Sequence, residues 1–310
     1  KAPIARLWAG GAETRIGKGR VIAGSDVEQA LAGSLLPDVD FGGVEAGRDM
    51  MFVHRQLHDG DLYFIVNRSK TAKSLDARFR GTGKAPEILR AEDGSAAPAS
   101  YRQEDGVTAV PLELKGEDSL FVLFRKPATA PQRIVPAQEL RSSLTLDGGW
   151  TVTFQPGRGA PASIDLPKLA SLSEQQDPAI RYFSGEAVYT KTFRLPAAMK
   201  PGQPLWLDLG IVGDLAEVSV NGTKIGTVWQ KPFRIDIGKA VRSGDNRLEI
   251  KVANLWVNRL IGDAQPGATK TTFVAIPTYR PDAPLRPSGL IGPVTILASD
   301  PGSAPAARKK

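Results

Sequence analysis

The chain has no cysteine, and only two histidines and three methionines among its 310 residues. Without cysteine there is no disulfide, no thiolate metal site and no thiol nucleophile. Long apolar runs are missing too: nothing approaches the roughly 20 residues that cross a bilayer as a helix. The opening KAPIARLWAGG is basic but has no apolar stretch ahead of a cleavage site, so no signal peptide is expected in these residues. A start without Met, in what reads as the middle of a folded unit, suggests a mature or C-terminal fragment of something longer. Acidic residues are outnumbered, giving a net charge of +7. The Lys and Arg residues are scattered, however, and the one basic cluster is Arg308-Lys309-Lys310. That pattern describes a solvated basic surface better than a nucleic-acid footprint. Neither nucleic acid nor membrane is expected as a partner.

Turn formers are abundant, with 32 Gly and 24 Pro. They punctuate short β-rich runs at regular spacing, which predicts antiparallel β-sandwiches. The expected fold class is mainly β: two antiparallel sandwich units, jelly-roll-like, preceded by the short tail of an α/β domain. Residues 1–46 form that tail, with a turn at Gly17-Lys18-Gly19 and a short helix through Val27, Ala30 and Leu31. The Gly-Lys-Gly lacks the spacing of a phosphate loop. Residues 47–130 form a small sandwich of about six or seven strands, in which Asp59-Gly60 reads as a hairpin turn using a positive φ at Gly60. Prolines 127, 131 and 136 mark a linker or strap. Residues 131–300 form the second sandwich, with another hairpin turn at Asn221-Gly222 and a final strand able to return beside the first. Residues 301–310 read as a disordered tail.

Three groups of residues carry a family resemblance. Tyr182-Phe183-Ser184-Gly185 leads into AVYTKTF; Val220-Asn221-Gly222 precedes Gly226 and Pro232-Phe233-Arg234-Ile235-Asp236; and Asn254-Leu255-Trp256-Val257-Asn258-Arg259-Leu260-Ile261-Gly262-Asp263 is followed by Ser288-Gly289-Leu290-Ile291-Gly292-Pro293. The first two groups resemble the galactose-binding-like domain of family 2 glycoside hydrolases. The third, with Phe52-Val53-His54-Arg55 and Tyr63-Phe64-Ile65-Val66-Asn67-Arg68 upstream, resembles the C-terminal region of family 106 α-L-rhamnosidases. Residues 1–46 resemble the end of an amidotransferase-like domain. The resemblance implies removal of terminal α-L-rhamnose by inversion, which needs two carboxyl groups roughly 6.5–9.5 Å apart. In the family those acids lie on a catalytic barrel upstream of everything in this chain. The resemblance also implies calcium as a cofactor, although no ligand set matches and the sequence itself requires none. A periplasmic or secreted location and a rhamnose-containing glycoside as partner follow from the same source.

The candidate residues each carry two readings. Trp256, Asn258, Arg259 and Asp263 lie where an apolar strand turns polar. As a strand, Trp256 and Asn258 would share a face opposite Arg259. The tryptophan could stack on a sugar ring while Asn258 and Arg259 donate to hydroxyls; alternatively an Arg259–Asp263 pair pins the loop with Trp256 as its plug. Arg280 and Arg286 sit on the stiff loop YRPDAPLRPSG, suited to an interface or to closure over a ligand. Trp229 and Tyr279 read as packing at loop ends. Glu186, Asp208, Asp214 and Glu217 read as solvated or turn acids rather than a catalytic pair. His54 is a candidate base or a satisfied structural histidine, and His58 a turn residue. Asn67-Arg68-Ser69 and Asn221-Gly222-Thr223 match glycosylation sequons but are better read as turns. Two functions remain in view: a non-catalytic part of a rhamnosidase-type hydrolase, scaffolding its upstream barrel, or a stand-alone carbohydrate-binding module.

Overall fold

The computed structural model describes residues 12–24, 26–32, 35–43, 48–92, 94–136 and 140–299. The chain divides between residues 136 and 137 into two compact units. Both are built from antiparallel sheets, so the chain is mainly β. The tail predicted to be disordered lies outside the described residues.

Unit 1 holds two five-stranded sheets around one core. The first runs in the order Gln132–Arg133, Tyr101–Glu104, Val107–Leu114, Lys73–Arg80, Val39–Asp40. The second runs Met50–Gln56, Asp61–Asn67, Ser119–Pro127, Lys84–Leu89, Ala96–Pro98. Alternate residues of each strand point inward. Tyr63, Ile65, Ala77, Phe79, Val110, Val122 and Phe124 are thereby buried together. Near the start of the chain, Glu13–Ile16 and Gly19–Ile22 form a hairpin. Its turn contains Gly17 at φ 61°, a strand–turn–strand geometry unlike a phosphate loop. The helix Val27–Ala32 follows where the sequence predicts one. Val39–Asp40 then pairs with Lys73–Arg80, inside the sandwich itself. The proline-rich stretch is a strap: Gln132–Arg133 pairs with the strand Tyr101–Glu104, and the Val135 N–H donates to Ser100 Oγ at 2.8 Å.

One expectation about unit 1 needs correcting. The strands Met50–Gln56 and Asp61–Asn67 are joined by the expected short connection, but Gly60 does not adopt a positive φ. Glycine is required there for room, since a Cβ on Gly60 would lie 2.2 Å from the carbonyl oxygen of Phe124. The neighbouring strand, not the turn, selects the residue.

Unit 2 packs a four-stranded sheet (Leu140–Thr145, Thr295–Ser299, Leu205–Asp208, Arg234–Asp236) and a six-stranded sheet on a single core. The larger sheet runs Ser163–Leu166, Trp150–Phe154, Gly185–Leu195, Gly244–Asn254, Leu215–Val220, Thr223–Val228. The last strand does return beside the first, with Thr145 opposite Thr295. Trp150, Phe183, Tyr189, Leu205, Leu207 and Leu248 are among the fully buried side chains. At the Asn221-Gly222 turn both residues have positive φ, 53° and 80°, as a two-residue hairpin requires. The Asn221 amide donates to Ala240 O at 3.0 Å, and its oxygen accepts from Arg247 N at 3.0 Å.

Candidate functional site

Parts of two of the three groups behind the family resemblance, residues 182–185, 254–263 and 288–289, meet at one end of unit 2, while the Asn221-Gly222 turn lies at the other end of the same sheet. Asn254, last in the strand Gly244–Asn254, draws them together. Its amide nitrogen donates to Gly185 O at 3.0 Å, and its oxygen accepts from Gly289 N at 2.7 Å. Ser184 Oγ donates to the Asn254 carbonyl at 3.3 Å. One buried amide therefore ties segments 69 and 35 residues away to the strand end. Ser171 Oγ also accepts from Ser288 N at 2.9 Å.

Beyond Leu255 the chain does not continue as a strand. Val257–Asp263 is a short helix with Trp256 as its N-cap residue. This overturns the alternation expected for Trp256, Asn258 and Arg259. On a helix, residues three and four apart share a face. Asn258 is buried, and its amide grips the Arg286 backbone at both ends, accepting from N and donating to O at 2.8 Å each. Arg259 reaches Asp263 one turn on at 2.8 Å, both side chains being nearly enclosed. Gly262 permits the helix to sit close to Tyr182, whose ring carbon a Cβ would meet at 2.6 Å.

Asp263 organises the next loop. Its carboxylate accepts from the Thr271 and Thr272 backbone N–H groups at 3.1 and 2.9 Å, and from the Thr272 hydroxyl at 2.6 Å. Burial pushes the Asp263 carboxyl up, but the Thr272 hydrogen bonds, the Arg259 charge and the Thr271 N–H together hold it below the usual aspartate range. The loop held this way projects Phe273 (93% exposed) and Ile276 (75%) into solvent. Sequence reasoning passed over these two; the signal was the apolar run FVAI between turn residues.

Trp256 is different from its neighbours, being about half exposed at 48%. The Arg158 guanidinium lies over its ring, 5.1 Å from the centroid. Arg158 comes from the turn after the strand Trp150–Phe154 and was not anticipated. Asp214, close by, has its carboxyl raised by burial, against the opposing pull of Arg286 and the Leu255 backbone. Arg286 and Arg280 are exposed, as is Trp229. The rim thus offers a half-open indole with cationic groups near it, above a buried polar clamp.

The remaining candidates are dispersed. Arg234 Nη2 pairs with Asp208 at 2.6 Å, and Asp208 also caps Gly210. Glu186 and Glu217 flank Lys251 at 3.7 and 3.5 Å on the outer face of the six-stranded sheet. A hydrogen bond from Lys224 holds the Glu217 carboxyl below its usual range, the opposite of what a general acid needs. His54 lies in unit 1, its ring nitrogens 3.1 Å from Asp38 and from Asp61, stacked on Tyr63. Both nitrogens are engaged, so His54 is a structural bridge. His58 is exposed in its turn. Asn67 is fully buried and donates to Thr71 O and Lys115 O, so its sequon is turn chemistry. Among the described residues no three His, Asp or Glu side chains group as metal ligands.

Residues 1–103 match the family model for α-L-rhamnosidases of glycoside hydrolase family 106. Residues 171–278 match the galactose-binding-like domain of family 2 glycoside hydrolases. The solved rhamnosidase from Novosphingobium sp. PP1Y is 54% identical and superposes over 96% of this chain with a TM-score of 0.89. The chain is related to the family 106 rhamnosidases. This rhamnosidase-related chain spans 28% of that structure's length. A curated Formosa agariphila protein described as "putative beta-glucuronidase" is 36% identical over 178 residues, which is 49% of this chain and 15% of the relative.

Proposed function

We propose that this chain is the non-catalytic C-terminal β portion of a rhamnosidase-type glycoside hydrolase. It supports a catalytic barrel elsewhere in a longer polypeptide, and the Trp256 rim contacts sugar. The observation that carries the reading is the 54% identity to a rhamnosidase of which these sandwiches cover only 28%. The chemistry of the rim supports a contact role. An indole stacks on the C–H face of a pyranose, and Arg158 and Arg286 supply donors to hydroxyls. Inverting hydrolysis also needs an acid with a raised pKa near the scissile oxygen. Glu186 and Glu217, bridged by Lys251, do not make that pair. A periplasmic or secreted setting and a rhamnose-terminated glycoside as ligand belong to the same proposal.

Two measurements test it. Hydrolysis of an aryl α-L-rhamnoside is expected from the longer polypeptide and absent from the 310-residue chain. Turnover by the short chain, abolished by Glu186→Gln, would place the acids here and overturn the reading. Calorimetric titration with L-rhamnose and rhamnosylated oligosaccharides should give heat that Trp256→Ala removes; an unchanged titration takes Trp256 out of the site. The galactose-binding-like match over residues 171–278 favours a second reading, a sugar-binding module acting without a hydrolase. Sugar binding by a protein whose longer form shows no turnover would select it.

A further inference from the structure

In unit 1 one sheet carries apolar rows on both faces. Its inner residues form the core already described. Its outer face carries Val53, Phe64, Phe121 and Leu89, which stand directly opposite one another across four adjacent strands. The Phe64 and Phe121 rings are 4.9 Å apart. Met51 and Val66 form a neighbouring apolar pair, and Leu62 pairs with Leu123 on the other side. Val53 is 50% exposed and Met51 47%. A depression of about 240 Å³ opens on this face, lined by Val53, Arg55, Leu62, Phe64 and Phe121.

Antiparallel sheets with one face in water alternate apolar and polar residues, whereas sheets covered on both faces read as continuous apolar runs. MFV, LYFIV and LFVLF are such runs. A contiguous outward apolar patch marks a contact surface. Three of the four strands, Met50–Gln56, Asp61–Asn67 and Lys84–Leu89, lie within the residues that match the rhamnosidase family model, outside the galactose-binding-like match. The related rhamnosidase carries more than two-thirds of its length beyond the part this chain covers. We infer that the outer face of this sheet, centred on Val53, Phe64 and Phe121, is the seat of the catalytic portion of the longer polypeptide. The inference rests on the proposed function and gives its scaffolding role a surface. Arg55 at the edge of the depression supplies a charge for the rim of that contact.

The test uses the longer polypeptide. Val53→Cys, with Met51→Cys as a second probe, is compared with Thr192→Cys, which is exposed on a strand of unit 2. Maleimide labelling is followed peptide by peptide. The face thiols are expected to react at least about tenfold more slowly than Thr192→Cys in the native protein, with rates converging in denaturant. Matching native rates would overturn the inference. A photo-crosslinking residue at position 53 then identifies the cover. Crosslinks to segments preceding this chain support the inference; crosslinks to residues 137–310, or to a second copy, overturn it. Rhamnoside turnover on the same preparation keeps the two readings apart. Upstream crosslinks without turnover would leave the docking surface standing and remove the rhamnosidase reading, and turnover with a freely reactive Val53→Cys would do the reverse.

Discussion

The two sandwiches obey the same alternation rule and place different residues outside. Across the large sheet of unit 2, the outward row reads Thr153, Val188, Lys251, Glu217, Thr227. The equivalent row in unit 1 reads Val53, Phe64, Phe121, Leu89. The first is a surface made for water, with a lysine shared between two glutamates. The second removes no polar group from water when it is covered, and at about 25 cal/mol per Å² its burial is favourable. Unit 2 instead places buried amides and an enclosed ion pair at one end, where they fix the loops. One unit presents a face and the other presents a rim.

Removing the clamp should break the rim with the largest effect. Asp263→Ala leaves the Arg259 guanidinium enclosed and unpaired, and should destabilise unit 2 by about 3–5 kcal/mol in denaturant unfolding. Proteolysis should then cut within residues 271–276. Unit 1 is most sensitive where strands crowd a turn. Gly60→Ala forces a methyl against the Phe124 carbonyl and should destabilise that unit by about 1–3 kcal/mol, although φ there is ordinary. If it is tolerated, the Phe124 carbonyl does not select the residue.

The clamp also sets a pH dependence. The Asp263 carboxyl is depressed in the folded state, so its contribution is complete above the ordinary aspartate range and fades as pH falls through the folded value. Below about pH 4 the wild type should lose stability more steeply than Asp263→Asn, measured by urea midpoints at a series of pH values. The smallest effect belongs to the water-facing row. Glu217→Gln should shift stability by no more than about 0.5 kcal/mol, since exposed ion pairs contribute little. A larger loss would mean that the ladder is covered too, and the contrast between the two faces would weaken.

Local chemistry made much of this legible. The Asn221-Gly222 turn, the short helix at Val27 and the return of the last strand beside the first follow from turn types and periodicity. The helix at Val257–Asp263 did not. Seven residues after a strongly alternating strand inherit its period when only sequence is read, and no side-chain cap announces the change. Asn258 looked like a free donor because its partner, the Arg286 backbone, is 28 residues away. His54 was ambiguous for a similar reason, since Asp38 approaches from another strand's flank.

What the sequence determined alone is the class of structure: antiparallel β units, without thiol chemistry, whose motifs resemble those of sugar-processing enzymes. These properties are set by composition, by a two-residue period and by turns, all of which act over a few neighbouring residues. Only the tertiary structure decided which polar groups are consumed internally and which stay available. It assigned Asn258 and Asp263 to a buried clamp, left Trp256 half open beneath Arg158, and turned an apolar row outward on unit 1. Those outcomes depend on contacts between residues far apart in the chain, and no local pattern encodes a partner that folding alone brings within reach.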